Sequence, residues 1–131
     1  LAETYLIAAE AYMRRDGGTS SDALRCYNKV WMRSGNDRFD GPLTQQVLQD
    51  EYARELHWEG RRFALLRRYG TLVEQVKAHA GDSKAEDPNL DKDYTDARKN
   101  VRDYHVRWPI PESEINMMGK ENFPQNPDWE L

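Results

Sequence analysis

The chain has 131 residues, 32% charged and 38% hydrophobic, with a formal net charge of −4. That is enough for one domain with a buried core. No Lys/Arg block stands out, so nucleic acid is not an expected partner, and no apolar run approaches the ~20 residues of a membrane helix. Cys26 is the single cysteine, which excludes an intrachain disulfide.

Leu1 to Arg15 reads as an amphipathic helix, with Leu1, Ala2, Tyr5, Leu6, Ala9, Tyr12 and Met13 on one face. The pair Ala8-Ala9 is small enough to let a second helix come close. Asp16-Gly17-Gly18 ends the helix, because glycine accepts the positive φ of a C-terminal cap. Ser20 or Ser21 then caps a second helix reaching about Ser34, whose face is Ala23, Leu24, Tyr27, Val30 and Trp31. Two helices joined by a short Gly-rich turn form an antiparallel hairpin. The spacing of Ala8, Ala9 and Tyr12, then Ala23, Tyr27 and Val30, looks like one tetratricopeptide-type hairpin. Cys26 falls within that hairpin and is expected to be inert packing.

Asn36 to Pro42 is a polar loop, and Thr44 is a good N-cap for a long central helix. At 100° per residue, Leu48, Tyr52, Leu56, Phe63 and Leu66 form one apolar stripe. Glu55, Glu59 and Arg62 project into the same arc, while Arg54, His57, Arg61 and Arg68 turn toward solvent. A buried carboxylate without a partner costs several kcal/mol, so Glu55 and Glu59 need partners. Arg62 is the nearest for Glu59, and backbone N–H groups of another segment come next. The expectation is a structural ion network of Glu51, Glu55, Glu59, Arg62 and Arg68, with catalysis by Glu55 and Glu59 as the weaker reading. Gly60 inside the helix suggests close approach of another backbone, and Gly70 bends or breaks it. A shorter helix with Leu72, Val73 and Val76 runs to about Ala80.

Residues 81–102 read as a polar surface loop. Asp87, Asn89, Asp91 and Asp93 alternate like the opening of a calcium loop. Lys92 and Arg98, however, stand where such a loop needs Gly and Glu, so a solvated acidic loop is the plainer reading. Asp103 to Ile110 alternates enough for a short extended segment, and Pro109 and Pro111 keep it out of a central sheet. Pro111 with Glu112 and Glu114 suits the first turn of a short helix, with Ile115 and Met118 facing inward. Gln125 and Asn126 in the irregular tail carry donors and acceptors that can dock it by hydrogen bonds. His57, His79 and His105 match no zinc spacing, and no nucleophile elbow or phosphate-cradling loop is present, so no metal, cofactor or catalytic residue is expected. Trp108, Trp129 and Tyr94 have the chemistry to stack on sugars, although core or tail-anchoring roles are commoner. Taken residue by residue, the fold class is mainly α: a tetratricopeptide-like hairpin packed on a long central helix, with an irregular C-terminal segment, in a single domain over residues 1–131.

Three separated motifs add a resemblance. Leu1-Ala-Glu-Thr-Tyr-Leu-Ile-Ala-Ala-Glu-Ala-Tyr12 is one. Glu51, Glu55-Leu56, Glu59-Gly60, Arg62-Phe63, Leu66, Arg68 and Gly70 form the second. Pro109-Ile110-Pro111 with Glu114-Ile115, followed by Gln125-Asn126-Pro127, is the third. In this order they resemble the SusD/RagB family of outer-membrane nutrient-binding lipoproteins. Tyr52, Leu65 and Asp128-Trp129 depart from the family pattern, the first two by removing charges from the network. The resemblance implies a larger, non-enzymatic protein, lipid-anchored at the outer membrane on the cell surface of Bacteroidetes-type bacteria. Its partners are a SusC-like TonB-dependent transporter and a glycan or peptide ligand. The chain, which opens at Leu1 already in a helical pattern, is expected to be the C-terminal, largely structural portion, without the anchor. The resemblance carries over no ligand-binding residue. A free-standing tetratricopeptide-like protein–protein interaction module is the alternative.

Overall fold

The computed structural model describes residues 1–80 and 93–129, with side chains described from Ala97 in the second stretch. Among these residues the chain is helical and has no strand. The helices are α1 (Ala2–Asp16), α2 (Ser21–Trp31), α3 (Gln45–Glu55), α4 (Arg62–Tyr69), α5 (Leu72–His79), α6 (Asp93–Asn100) and α7 (Glu112–Met118). Packing divides the chain into two compact units, Leu1–Leu65 and Leu66–Leu131. No helix among the described residues is long and apolar enough to cross a membrane.

In the first unit α1 and α2 form the expected hairpin, and α3 packs on α1. Leu6 and Ala9 from α1 meet Ala23, Tyr27 and Val30 from α2, with Leu43 and Leu48 completing the core. Cys26 is buried and free, as its helical position implies. Gly17, at φ 90°, closes α1 by donating its N–H to the Met13 carbonyl at 2.9 Å. Gly18 does something the sequence did not announce. Its carbonyl accepts from the Leu43 N–H at 2.8 Å, and a Cβ on it would lie 2.1 Å from the Leu43 carbonyl oxygen. Only glycine lets the two backbones approach so closely. Past Trp31 the second helix tightens into a 3₁₀ turn over Met32–Ser34, so its α-helical part is shorter than expected.

The loop from Asn36 to Pro42 is held by side chains. Asn28, buried on α2, donates its amide to the carbonyls of Leu24 (2.9 Å) and Phe39 (2.8 Å). Its Oδ1 accepts from the Phe39 N–H at 2.8 Å. Phe39 thereby meets Tyr27 edge-on, with ring centres 5.0 Å apart. The Trp31 indole donates to the Asp37 carbonyl at 2.8 Å. Thr44 is the N-cap of α3, accepting from the Val47 N–H at 3.2 Å.

The single central helix is corrected by the structure. α3 ends at Glu55, residues 56–60 form a turn, and α4 begins at Arg62. Trp58 and Gly60 both take φ 68° in that turn. Two left-handed residues cannot continue a right-handed helix, so the 100° phase is lost there. Leu48, Tyr52, Leu56 and Leu66 are buried regardless, whereas Phe63 is half-buried.

In the second unit α5 packs against α6 and against a 3₁₀ turn over Asp103–Val106. Two expectations change here. Asp93 to Asn100 is helical where a polar loop was read, and Asp103 to Val106 is a turn where an extended segment was read. The calcium-like positions Asp87, Asn89, Asp91 and Lys92 lie outside the described residues, as do the side chains of Asp93 and Tyr94. Arg98 donates to the Ala78 carbonyl at 3.1 Å. In α7, Ile115 is buried as expected, but Met118 is exposed. The tail docks through its amides. Gln125 exchanges two bonds with the Ile110 backbone (2.8 and 2.9 Å), and Asn126 donates to the Trp108 carbonyl at 2.7 Å. Trp129 packs edge-on against Tyr104 and His105.

Candidate functional site

The charged residues singled out on the central segment all lie on α3, α4 and the turn between them. Glu51 is buried, and Arg54, one turn later, reaches it at 2.8 Å through Nη2 and 3.1 Å through Nε. Arg54 also lies over the Trp31 ring, 5.3 Å from its centre, so one guanidinium joins a carboxylate on α3 to an aromatic on α2. Burial works to lower the Arg54 pKa, but its bond to the Glu51 carboxylate and that charge prevail and hold it above its ordinary value. Burial, with the Glu51 charge second, pushes the Tyr27 phenol up from 10.0 to about 12.

Glu55 is nearly buried, with 8% of its side chain exposed, and pairs with Arg33 of the 3₁₀ turn after α2. The expected inward position of Glu55 is therefore found, with a partner from a remote part of the chain. Glu59 is different: it is solvent-exposed. The left-handed turn that ends α3 carries it out of the arc shared with Leu56. Arg62 donates from Nη1 to the Gln49 carbonyl at 2.8 Å, tying the start of α4 to the middle of α3. Burial lowers the Arg62 pKa and the Asp50 charge opposes it. Arg68 is exposed and lies over the Tyr69 ring at 4.7 Å. Arg61, toward solvent, makes a long contact of 3.6 Å with Glu3 of α1.

The structure thus brings Glu55 and Arg62 into contacts that join chain segments, pairs Glu51 with Arg54 of its own helix, and leaves Glu59 and Arg68 exposed. Residues that periodicity and spacing did not single out are Arg33, the partner of Glu55, and Asn28. A third is Glu10, buried and paired with Arg14 at 2.8 Å. The spacing of four between Glu10 and Arg14 was a readable signal. Arg33 and Asn28 act across loops and left none. Among the described residues no cluster of His, Cys, Asp and Glu has the makings of a metal site.

The profile of the SusD family matches residues 1–129. The chain belongs to the SusD family. It is 34% identical over 126 residues to the starch-binding protein SusD of Bacteroides thetaiotaomicron, which covers 96% of this chain and 20% of that protein. The chain therefore spans about a fifth of the length of this curated SusD relative. No solved structure matches. The carboxylates and arginines described above all fall within the residues 1–129 matched by the family.

Proposed function

We propose that this chain is the largely structural C-terminal part of a cell-surface nutrient-binding protein of SusD type. The whole protein captures an oligosaccharide at the outer membrane, where a lipid anchor holds it, and passes it to a SusC-like TonB-dependent transporter. It is not an enzyme. The observation that carries this reading is the likeness along nearly the whole chain to a protein named for starch binding. The geometry supports the structural role. Glu55 is buried in an ion pair and Glu59 is in solvent, so the two carboxylates have separate environments and are not a paired acid and base. Glu55 and Arg62 each join one element to another, and Glu51 holds Arg54 in place over Trp31.

A protein–protein interaction module is the competing reading, and the α1–α2 hairpin is the feature that favours it. Calorimetric titration of the full-length gene product with maltoheptaose, a short α-1,4-glucan, and a glycan array separate the two. Saturable glycan binding without release of shorter sugars is expected. Shortened products would indicate an enzyme, and silence across the array would leave the interaction module as the better account. Co-purification of a TonB-dependent transporter from outer membranes tests the partner.

A further inference from the structure

His105 stands where the tail meets the 3₁₀ turn over Asp103–Val106. Its ring stacks on Tyr104, with centres 4.3 Å apart, and meets Trp129 of the tail edge-on at 5.2 Å. Trp129 in turn meets Tyr104 at 5.0 Å and donates its indole N–H to the Arg107 carbonyl at 3.2 Å. The same imidazole reaches back along the chain. The N–H of Arg102, the N-cap of the turn, donates to His105 Nδ1 at 2.9 Å. Only a ring nitrogen without a proton can accept that bond. A Glu or Gln ordinarily fills this position of a capping box. Here it is filled by an imidazole, a group that ordinarily takes up a proton at about pH 6.5.

Protonation would leave Nδ1–H and the Arg102 N–H pointed at each other. The other polar partner of the ring among the described residues is the Arg102 carbonyl, 3.2 Å from Nδ1, and it already accepts from the His105 N–H at 3.0 Å. The charged groups nearby are mixed. Arg102, Asp103 and Arg107 flank the ring along the chain, Arg98 and Lys99 end α6, and Asp128 precedes Trp129. On α5 stand His79, Glu74 and Lys77, the last two lining a recess together with Asp103. Both polar partners of the ring belong to Arg102, so among the described residues no carboxylate is paired with it to reward a charge. Cation–π attraction to Tyr104 and Trp129 favours the charged ring, but at a half-exposed site it is smaller than a lost bond with donor set against donor.

We infer that His105 is a pH-sensitive latch. The neutral ring holds the turn and the tail together, and its protonation loosens the tail and bares Trp129. The latch lies within the second unit and does not depend on which ligand the protein binds.

Hydrogen–deuterium exchange of the full-length gene product tests it, read by mass spectrometry over residues 99–107 and 122–129. Measurement at about pH 7.5 and about pH 5.5 brackets the ordinary imidazole value. After correction for the intrinsic effect of pH, exchange in both segments is expected to be several-fold faster in acid, with the α1–α2 hairpin unchanged. His105→Asn replaces Nδ1 by an oxygen that accepts without titrating, and Gln125 and Asn126 still hold the tail. Both segments are then expected to stay protected at both pH values. Wild-type exchange that does not respond to acid overturns the inference. So does a response that persists in His105→Asn or spreads equally to the hairpin. A His105→Asn tail that is open at both values also overturns it, because ring stacking and not the acceptor would then be the latch.

Discussion

Asn28 offers the sharpest test of how the first unit is held together. Its amide donates to the Leu24 and Phe39 carbonyls and accepts from the Phe39 N–H, all within 2.9 Å. Leu24 keeps its place in the backbone ladder of α2 without the side chain, whereas Phe39 loses partners for both its N–H and its carbonyl. At about 1 kcal/mol net for each bond, Asn28→Ala is predicted to cost about 2–3 kcal/mol. For a unit of this size that is roughly 10 °C or more in melting temperature. Asn28→Asp sharpens the test. One oxygen can still accept from Phe39, but the other replaces the donor that faced two carbonyl oxygens. The introduced carboxylate is thus disfavoured in the fold, and its pKa is raised above the ~3.9 of an unfolded Asp. The deficit relative to wild type is therefore full above the folded pKa and shrinks as pH falls toward the unfolded value, as the added proton restores a donor. Near-UV circular dichroism during thermal unfolding at a series of pH values reads both variants against wild type. An Asn28→Asp protein as stable as wild type at neutral pH, or a gap that widens in acid, refutes the reasoning.

Other expectations are direct. Gly18→Ala is predicted to cost about 1–3 kcal/mol, because a Cβ there meets the Leu43 carbonyl at 2.1 Å and backbone must move. Urea unfolding checks it, and a change within error would mean that the Gly18–Leu43 approach is not tight in solution. Tyr27 is predicted to ionise near pH 12, well above its ordinary value of 10.0, because burial disfavours its phenolate. Its stability contribution is complete below its unfolded pKa near 10 and fades as pH rises toward 12, and tyrosinate absorbance of wild type against Tyr27→Phe reads it. Gln125→Ala removes both bonds to Ile110 and is predicted to raise amide exchange at Ile110 by about tenfold, the effect of losing ~1.4 kcal/mol of local protection; unchanged exchange would mean the tail docks by other means.

How much of this was legible in the sequence varies by element. The hairpin was readable because its apolar positions and the Gly17 stop agree, and local consistency of that kind is what a sequence displays well; Ser20 stands at the N-cap of α2 but makes no side-chain cap bond. The Thr44 cap and the docking of Gln125 and Asn126 were readable from donor and acceptor chemistry alone. The break after Glu55 was not. Leu56 and Leu66 kept the helical spacing, and Gly60 was the one punctuation mark, so periodicity concealed a turn set by the left-handed Trp58. That single error placed Glu59 in the buried arc, whereas it is exposed. The Arg33–Glu55 pair and the Asn28–Phe39 bonds join residues far apart in sequence or across a loop, and no spacing rule reaches them. Membership of the SusD family was readable because three separated motifs occur in order along nearly the whole chain.

The central claim is that the inward carboxylates of α3 hold the chain together and perform no chemistry. Glu55→Gln in the full-length gene product, with thermal unfolding and maltoheptaose titration on the same preparation, tests it most directly. The predicted result is a melting temperature lowered by several degrees, since the ion pair with Arg33 is lost, with glycan affinity unchanged for the folded protein. An unchanged melting temperature accompanied by lost binding or lost turnover would contradict it.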